Sequence, residues 1–109
     1  MTTTRRAFIC NKSHHDFRAV YSWGEPIFLT EGWLDAYDVG TMWRLMKPKL
    51  DLSGPDDYIV QTSLPVVFSI ATGFMIARHG IVHMLLFSKG EYIERTVSFL
   101  EYQNSDWRI

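Results

Sequence analysis

Apolar residues in this chain fall into blocks whose period alternates between that of a strand and that of a helix. Residues 7–10, "AFIC", are short, apolar and partly β-branched, which predicts a buried strand. Ser13 and Asp16 follow at the S-x-x-D spacing of a capping box, which predicts a helix over 14–22. Phe17, Val20 and Tyr21 would share its inner face, and Gly24 would end it. "PIFLT", 26–30, reads as a second strand, with Pro26 at its first position where no ladder donor is missed. After the loop "EGWLDAYD", Asp38 or Thr41 caps a helix with Val39, Met42, Trp43, Met46 and Leu50 on one face, its last turn weakened by Pro48. "DLSGPDD" is the strongest loop signal in the chain.

"YIVQT" reads as the third strand. Ser63 is placed to cap a helix over 64–79 that is apolar nearly all round, so it should be buried on more than one side. Gly80 suits the residue after its end, and Arg78 and His79 suit the negative pole of its dipole. "IVHMLLF", 81–87, is continuously apolar and belongs inside a sheet. Lys89-Gly90 makes a tight turn into "EYIERTVSF", an edge strand with Ile93, Val97 and Phe99 on one face and a wet opposite side. The polar tail carries a lone Trp107, which frays or docks.

The order β-α-β-α-β-α-β-β predicts an α/β fold. We expect a three-layer Rossmann-like domain with a mostly parallel sheet of about five strands and an antiparallel C-terminal hairpin strand. At 109 residues the chain should be a single domain, 1–109, with flexible ends at 1–5 and 103–109.

Composition narrows the function. Hydrophobic residues make up 47% and the formal net charge is −1, so nothing in the total calls for nucleic acid or an anionic membrane as partner. Cys10 is the one cysteine and lies in an apolar run, so neither an internal disulfide nor a cysteine-based zinc site is expected, and the thiol reads as core. No apolar stretch has the length of a membrane span, and the start lacks a secretory pattern, so a cytoplasmic protein without metal or cofactor is expected.

In open α/β sheets ligands sit beyond the carboxyl ends of the strands, where strand order reverses. Those ends carry Asn11, Ser13, His14, Thr30, Glu31, Thr62 and Ser63, with two helix starts aimed at the same region. Free N–H groups at helix starts favour an anion, so these seven residues are the expected ligand-binding set for a phosphate or nucleotide. The simpler reading of Ser13, Asp16, Thr62 and Ser63 is capping alone. His14 is the candidate acid or base, with Asp16 or Glu31 as partner. Adjacent histidines point about 100° apart on a helix, which argues against a shared metal at His14 and His15. Trp33, Tyr37 and Trp43 form a candidate protein interface.

The segments "FICNKSHHDF", "IFLTEG", "PDDYIVQTS", "ARHGIVHMLLF" and "YIERTVSF" resemble a set of small Rossmann-like proteins encoded by bacteriophages. That resemblance covers most of the chain and implies no activity. In size and element order the chain is also similar in outline to viral ring nucleases that destroy cyclic oligonucleotide messengers. Those enzymes carry a histidine beside the serine or threonine that opens the helix after a central strand, and "QTSLP" has none. The expectation is therefore a small phage-type binding protein holding an anionic ligand or a host protein at the carboxyl edge. The alternatives are a phosphodiester hydrolase using His14 and a purely protein-binding module. The edge strand over 91–99 offers one route to a homodimer.

Overall fold

The computed structural model describes residues 4–103, so Trp107 and nearly all of the expected flexible ends lie outside the described residues. Five strands form one sheet: β1 (Arg6–Ile9), β2 (Glu25–Phe28), β3 (Tyr58–Val60), β4 (Ile81–Ser88) and β5 (Glu91–Ser98). Their order across the sheet is β2-β1-β3-β4-β5. The pairings β1–β2, β1–β3 and β3–β4 are parallel, and β4–β5 is antiparallel. Three α-helices, α1 (Val39–Leu50), α2 (Pro65–His79) and the short α3 (Leu100–Gln103), complete the mixed α/β fold together with a 3-10 turn, Arg18–Ser22.

Strand order reverses once. The chain steps from β1 outward to β2, then returns past β1 to β3 and onward to β4. Crossovers of one hand then require the first connection on one face of the sheet and the next two on the other. Burial follows that rule. Phe8, Ile59 and Val82 pack with Met42, Met46 and Leu50 of α1 and Val67, Ala71 and Met75 of α2. Ala7, Ile9, Tyr58, Val60 and Leu85 point the other way and meet only Phe17, Val20 and Tyr92 among buried residues. The alternation along each strand thus feeds a thick helical layer on one side and a thin one on the other.

Local chemistry explains the helix ends. Asp38 caps α1, accepting the Thr41 N–H at 3.2 Å and the Thr41 hydroxyl at 2.8 Å. α1 runs through Pro48 to Leu50 rather than stopping short. Pro48 and Arg44 are both exposed, so water can satisfy the Arg44 carbonyl that Pro48 leaves without a donor. Gly80 ends α2 in the left-handed conformation at φ 75°, its N–H on the Ile76 carbonyl at 2.8 Å. Lys89 and Gly90 both take positive φ, 51° and 85°, as a two-residue hairpin turn between β4 and β5 requires.

Two local expectations are corrected. The helix over 14–22 is only the 3-10 turn Arg18–Ser22, and the Ser13–Asp16 capping box does not form. Instead the Asp16 carboxylate accepts the Arg18 N–H at 3.0 Å, and Ser13 Oγ accepts the His15 N–H at 3.4 Å. Such i→i+2 turns compete with helix for the same donors. On β5 the buried side chain is Tyr92, on the face opposite Ile93 and Val97. The helical layer that would cover Ile93 and Val97 packs over β1, β3 and β4, and Val97 is left 39% exposed.

Candidate functional site

The reversal in strand order places a gap beyond the carboxyl ends of β1 and β3. A cavity of ≈ 290 Å³ lies there, lined by Ser13, His15, Phe17, Gln61, Thr62, Ser63, Phe87 and Tyr92. Each comes from a definable place in the fold. Ser13 and His15 lie on the segment leaving β1, and Phe17 anchors that segment to the sheet at 7% exposure. Gln61, Thr62 and Ser63 join β3 to α2. Phe87 and Tyr92 face each other across the β4–β5 hairpin, in direct register.

The walls differ in chemistry. On one side the rings of His15 and Phe17 lie 4.8 Å apart, those of His15 and Phe87 4.9 Å, and those of Phe87 and Tyr92 5.1 Å, all edge to face. His15 Nε2 and the Tyr92 hydroxyl are 3.3 Å apart, a hydrogen bond whose direction follows the imidazole tautomer. Burial raises the Tyr92 pKa, and the Asp16 charge adds to the rise, so the hydroxyl keeps its proton at neutral pH. On the other side the polar groups are loosely held. Thr62 Oγ1 accepts the Leu64 N–H at a long 3.4 Å. The Gln61 amide and the Ser63 hydroxyl make no side-chain hydrogen bond to another described residue.

α2 opens beside these residues. Its N-cap is Leu64 and not the expected Ser63, and no side chain caps it. Leu64 carries no oxygen that could do so, and Pro65 at N1 has no N–H. The first bond into the helix runs from the Phe68 N–H to the Leu64 carbonyl at 3.4 Å. The Val66 and Val67 N–H groups precede it and have no partner inside the helix. They carry the positive end of a 15-residue helix.

Of the residues expected to bind ligand, Ser13, Thr62 and Ser63 line this cavity, and Asn11, His14, Thr30 and Glu31 do not. Thr30 is 2% exposed, and its hydroxyl lies 2.6 Å from the Cys10 carbonyl and 2.9 Å from Asn11 Oδ1. The Asn11 amide donates to the Gly32 carbonyl at 3.0 Å. These two residues tie the ends of β1 and β2 together. Glu31 is exposed and continues that pairing opposite Lys12. His14 is exposed, and its ring makes no hydrogen bond to a described residue. Asp16 is committed to Arg18, whose guanidinium lies 2.7 Å away; that contact and the Arg18 N–H hold the carboxyl down to about 2.

Sequence reasoning missed His15, Phe17, Gln61, Phe87 and Tyr92 as cavity residues. The hairpin register gives the last two, because a two-residue turn at 89–90 sets Phe87 opposite Tyr92. His15 and Phe17 meet edge to face on a bent segment, their rings 4.8 Å apart, which a helical reading hides. The expected interface also separates. Trp33 and Tyr37 are 88% and 93% exposed, whereas Trp43 packs onto the helical core with its ring 5.9 Å from Phe74.

Among the described residues no group of three or more His, Cys, Asp or Glu could hold a metal ion. No helix among them is long and apolar enough to cross a membrane. Cys10 is fully buried, and burial pushes its thiol up to about 12, so it is inert core. Comparison with protein-family models, curated proteins and solved structures gives no match to this chain.

Proposed function

We propose that this is a small cytoplasmic binding protein of the bacteriophage type that holds an anionic ligand, a phosphate or a nucleotide, at the carboxyl edge of a Rossmann-like sheet. One observation carries the reading: the cavity where strand order reverses is lined by Gln61 and Ser63, whose side chains bond to no other described residue, and Ser63 leads directly into the uncapped start of α2. Free N–H groups at a helix start and free hydroxyls are the donors that an anion needs. Order 2-1-3-4-5 with a site at the β1/β3 switch point supports the Rossmann-like part of the proposal. The test is a thermal-shift panel of inorganic phosphate, sugar phosphates and nucleotides. A ligand at about 100 times its Kd should stabilise the fold by about 2.7 kcal/mol. No shift with any of them counts against the reading.

A second reading, contact with a host protein, is favoured by Trp33 and Tyr37, two large aromatics left almost fully exposed on the loop before α1. Capture from a host lysate that is abolished by Trp33→Ala with Tyr37→Ala would support it, and capture unchanged by them would not. A hydrolase would draw on His15 and not on His14, since His15 is the histidine in the cavity wall. His15→Ala should then cost at least about 10²-fold in rate.

A further inference from the structure

The cavity has more on its walls than an anion needs. An anion is met by donors, and those in the lining lie along 61–63, next in the chain to the start of α2. The opposite wall is four rings in mutual contact: His15, Phe17, Phe87 and Tyr92. Phe17 and Tyr92 are buried, at 7% and 8% exposure, and hold the group in place. Phe87 is 45% exposed at the mouth. An apolar ring kept in water beside a hollow lined with rings is a ready surface for a flat apolar partner. Gln61 also lines the hollow, and its amide, which bonds to no other described residue, offers a donor and an acceptor side by side. That pair matches the edge of a heteroaromatic base.

We propose that the ligand carries a planar base as well as its anion, and that the site takes a nucleoside monophosphate or a compound of that build. The base lies against Phe87 and His15 with its edge at Gln61, and the phosphate lies toward Ser63 and the first turn of α2. Size fits that assignment: at ≈ 290 Å³ the open hollow stands at the small end of ligand pockets, which run from about 300 to 1,000 Å³, a volume that one nucleotide would fill. This assignment rests on the anion-binding reading above, and the experiment separates the two.

The test is titration of the full chain with AMP, GMP, CMP, UMP, ribose 5-phosphate and inorganic phosphate, followed by calorimetry. At least one nucleotide should bind about tenfold or more tighter than ribose 5-phosphate, the gain expected when a base stacks on an aromatic ring. Phe87→Leu, which keeps apolar bulk but removes the ring, should erase that advantage. Circular dichroism melting confirms that the variant is folded. Ribose 5-phosphate binding as tightly as every nucleotide would overturn the base half and leave the anion reading standing. So would a nucleotide advantage that survives Phe87→Leu. No binding by any of the six probes would overturn both.

Discussion

The two ends of the sheet use the same kinds of residue for opposite purposes. At the amino ends of β1, β3 and β4, polar groups are consumed in pairs. Asp57, 4% exposed, accepts the N–H groups of Arg6 and Gly54, each at 2.8 Å, and meets the Arg6 guanidinium at 3.4 Å. Ser53 Oγ lies 2.9 Å from His79 Nε2, and the Arg5 guanidinium holds the Tyr58 hydroxyl. At the carboxyl ends Ser63 and His15 stand around a hollow, and the Ser63 hydroxyl bonds to no other described residue. Serine, histidine and aspartate in proximity are therefore no signature of a site by themselves. Unused donors facing an open volume are.

If that contrast is right, substitutions at the two ends should separate stability from binding. The largest effect belongs to Asp57→Ala. It leaves the Arg6 and Gly54 N–H groups without their acceptor at a buried position, and should cost about 3 kcal/mol in a urea titration. Thr30→Val comes next and sharpens the boundary. Although Thr30 sits at the carboxyl edge, its hydroxyl is spent on Cys10 and Asn11. The substitution should lower stability by about 1 kcal/mol and leave ligand affinity unchanged.

His79 supplies a pH test of the paired end. Burial is the main cause that lowers its pKa from the ordinary value, the Arg78 charge adds to it, and Asp57 acts in the opposite sense. The unfolded chain therefore takes up this proton at a pH where the folded chain does not. The contribution of a neutral His79 is fully present above about pH 6.5, the unfolded value, and is lost as pH falls below it and through the lower folded value. Melting temperature should drop between about pH 7.5 and about pH 5.5, and His79→Gln should flatten that slope. An unchanged slope in the variant would remove His79 from the account.

The smallest stability effect is expected at the open end. Ser63→Ala touches no hydrogen bond to a described residue, so stability should stay within about 0.5 kcal/mol of the parent. Affinity for an anion should nonetheless fall. A large loss of stability would show Ser63 to be a staple like Ser53, and the contrast between the ends would fail.

Much of this was legible in the chain itself. Strand and helix periods located the parallel strands β1 to β4, the capped α1 and the apolar α2 to within a few residues, although α2 fully buries only Val67, Ala71 and Met75, one stripe and not the two sides expected from its apolar sequence. The strand ends then pointed to Ser13, Thr62 and Ser63. What failed was local and competitive. Asp16 had two uses, a helix cap or an i→i+2 turn, and its ion pair with Arg18 chose the turn. With the segment turned and not helical, His15 lines the cavity and His14 does not. The aromatic wall was legible in part: the Lys89-Gly90 turn sets Phe87 opposite Tyr92, whereas the contact of His15 with Phe87 joins distant segments of the chain and has no local signal.

The most direct test compares the ends in one experiment, by following backbone amide resonances while a nucleoside monophosphate is added. The account predicts shifts at Ser13, His15, Thr62, Ser63, Val66, Val67 and Phe87, with Arg6, Gly54, Asp57 and His79 unmoved. Shifts centred on the Ser53–His79 end, or none anywhere at saturating nucleotide and phosphate, would contradict it.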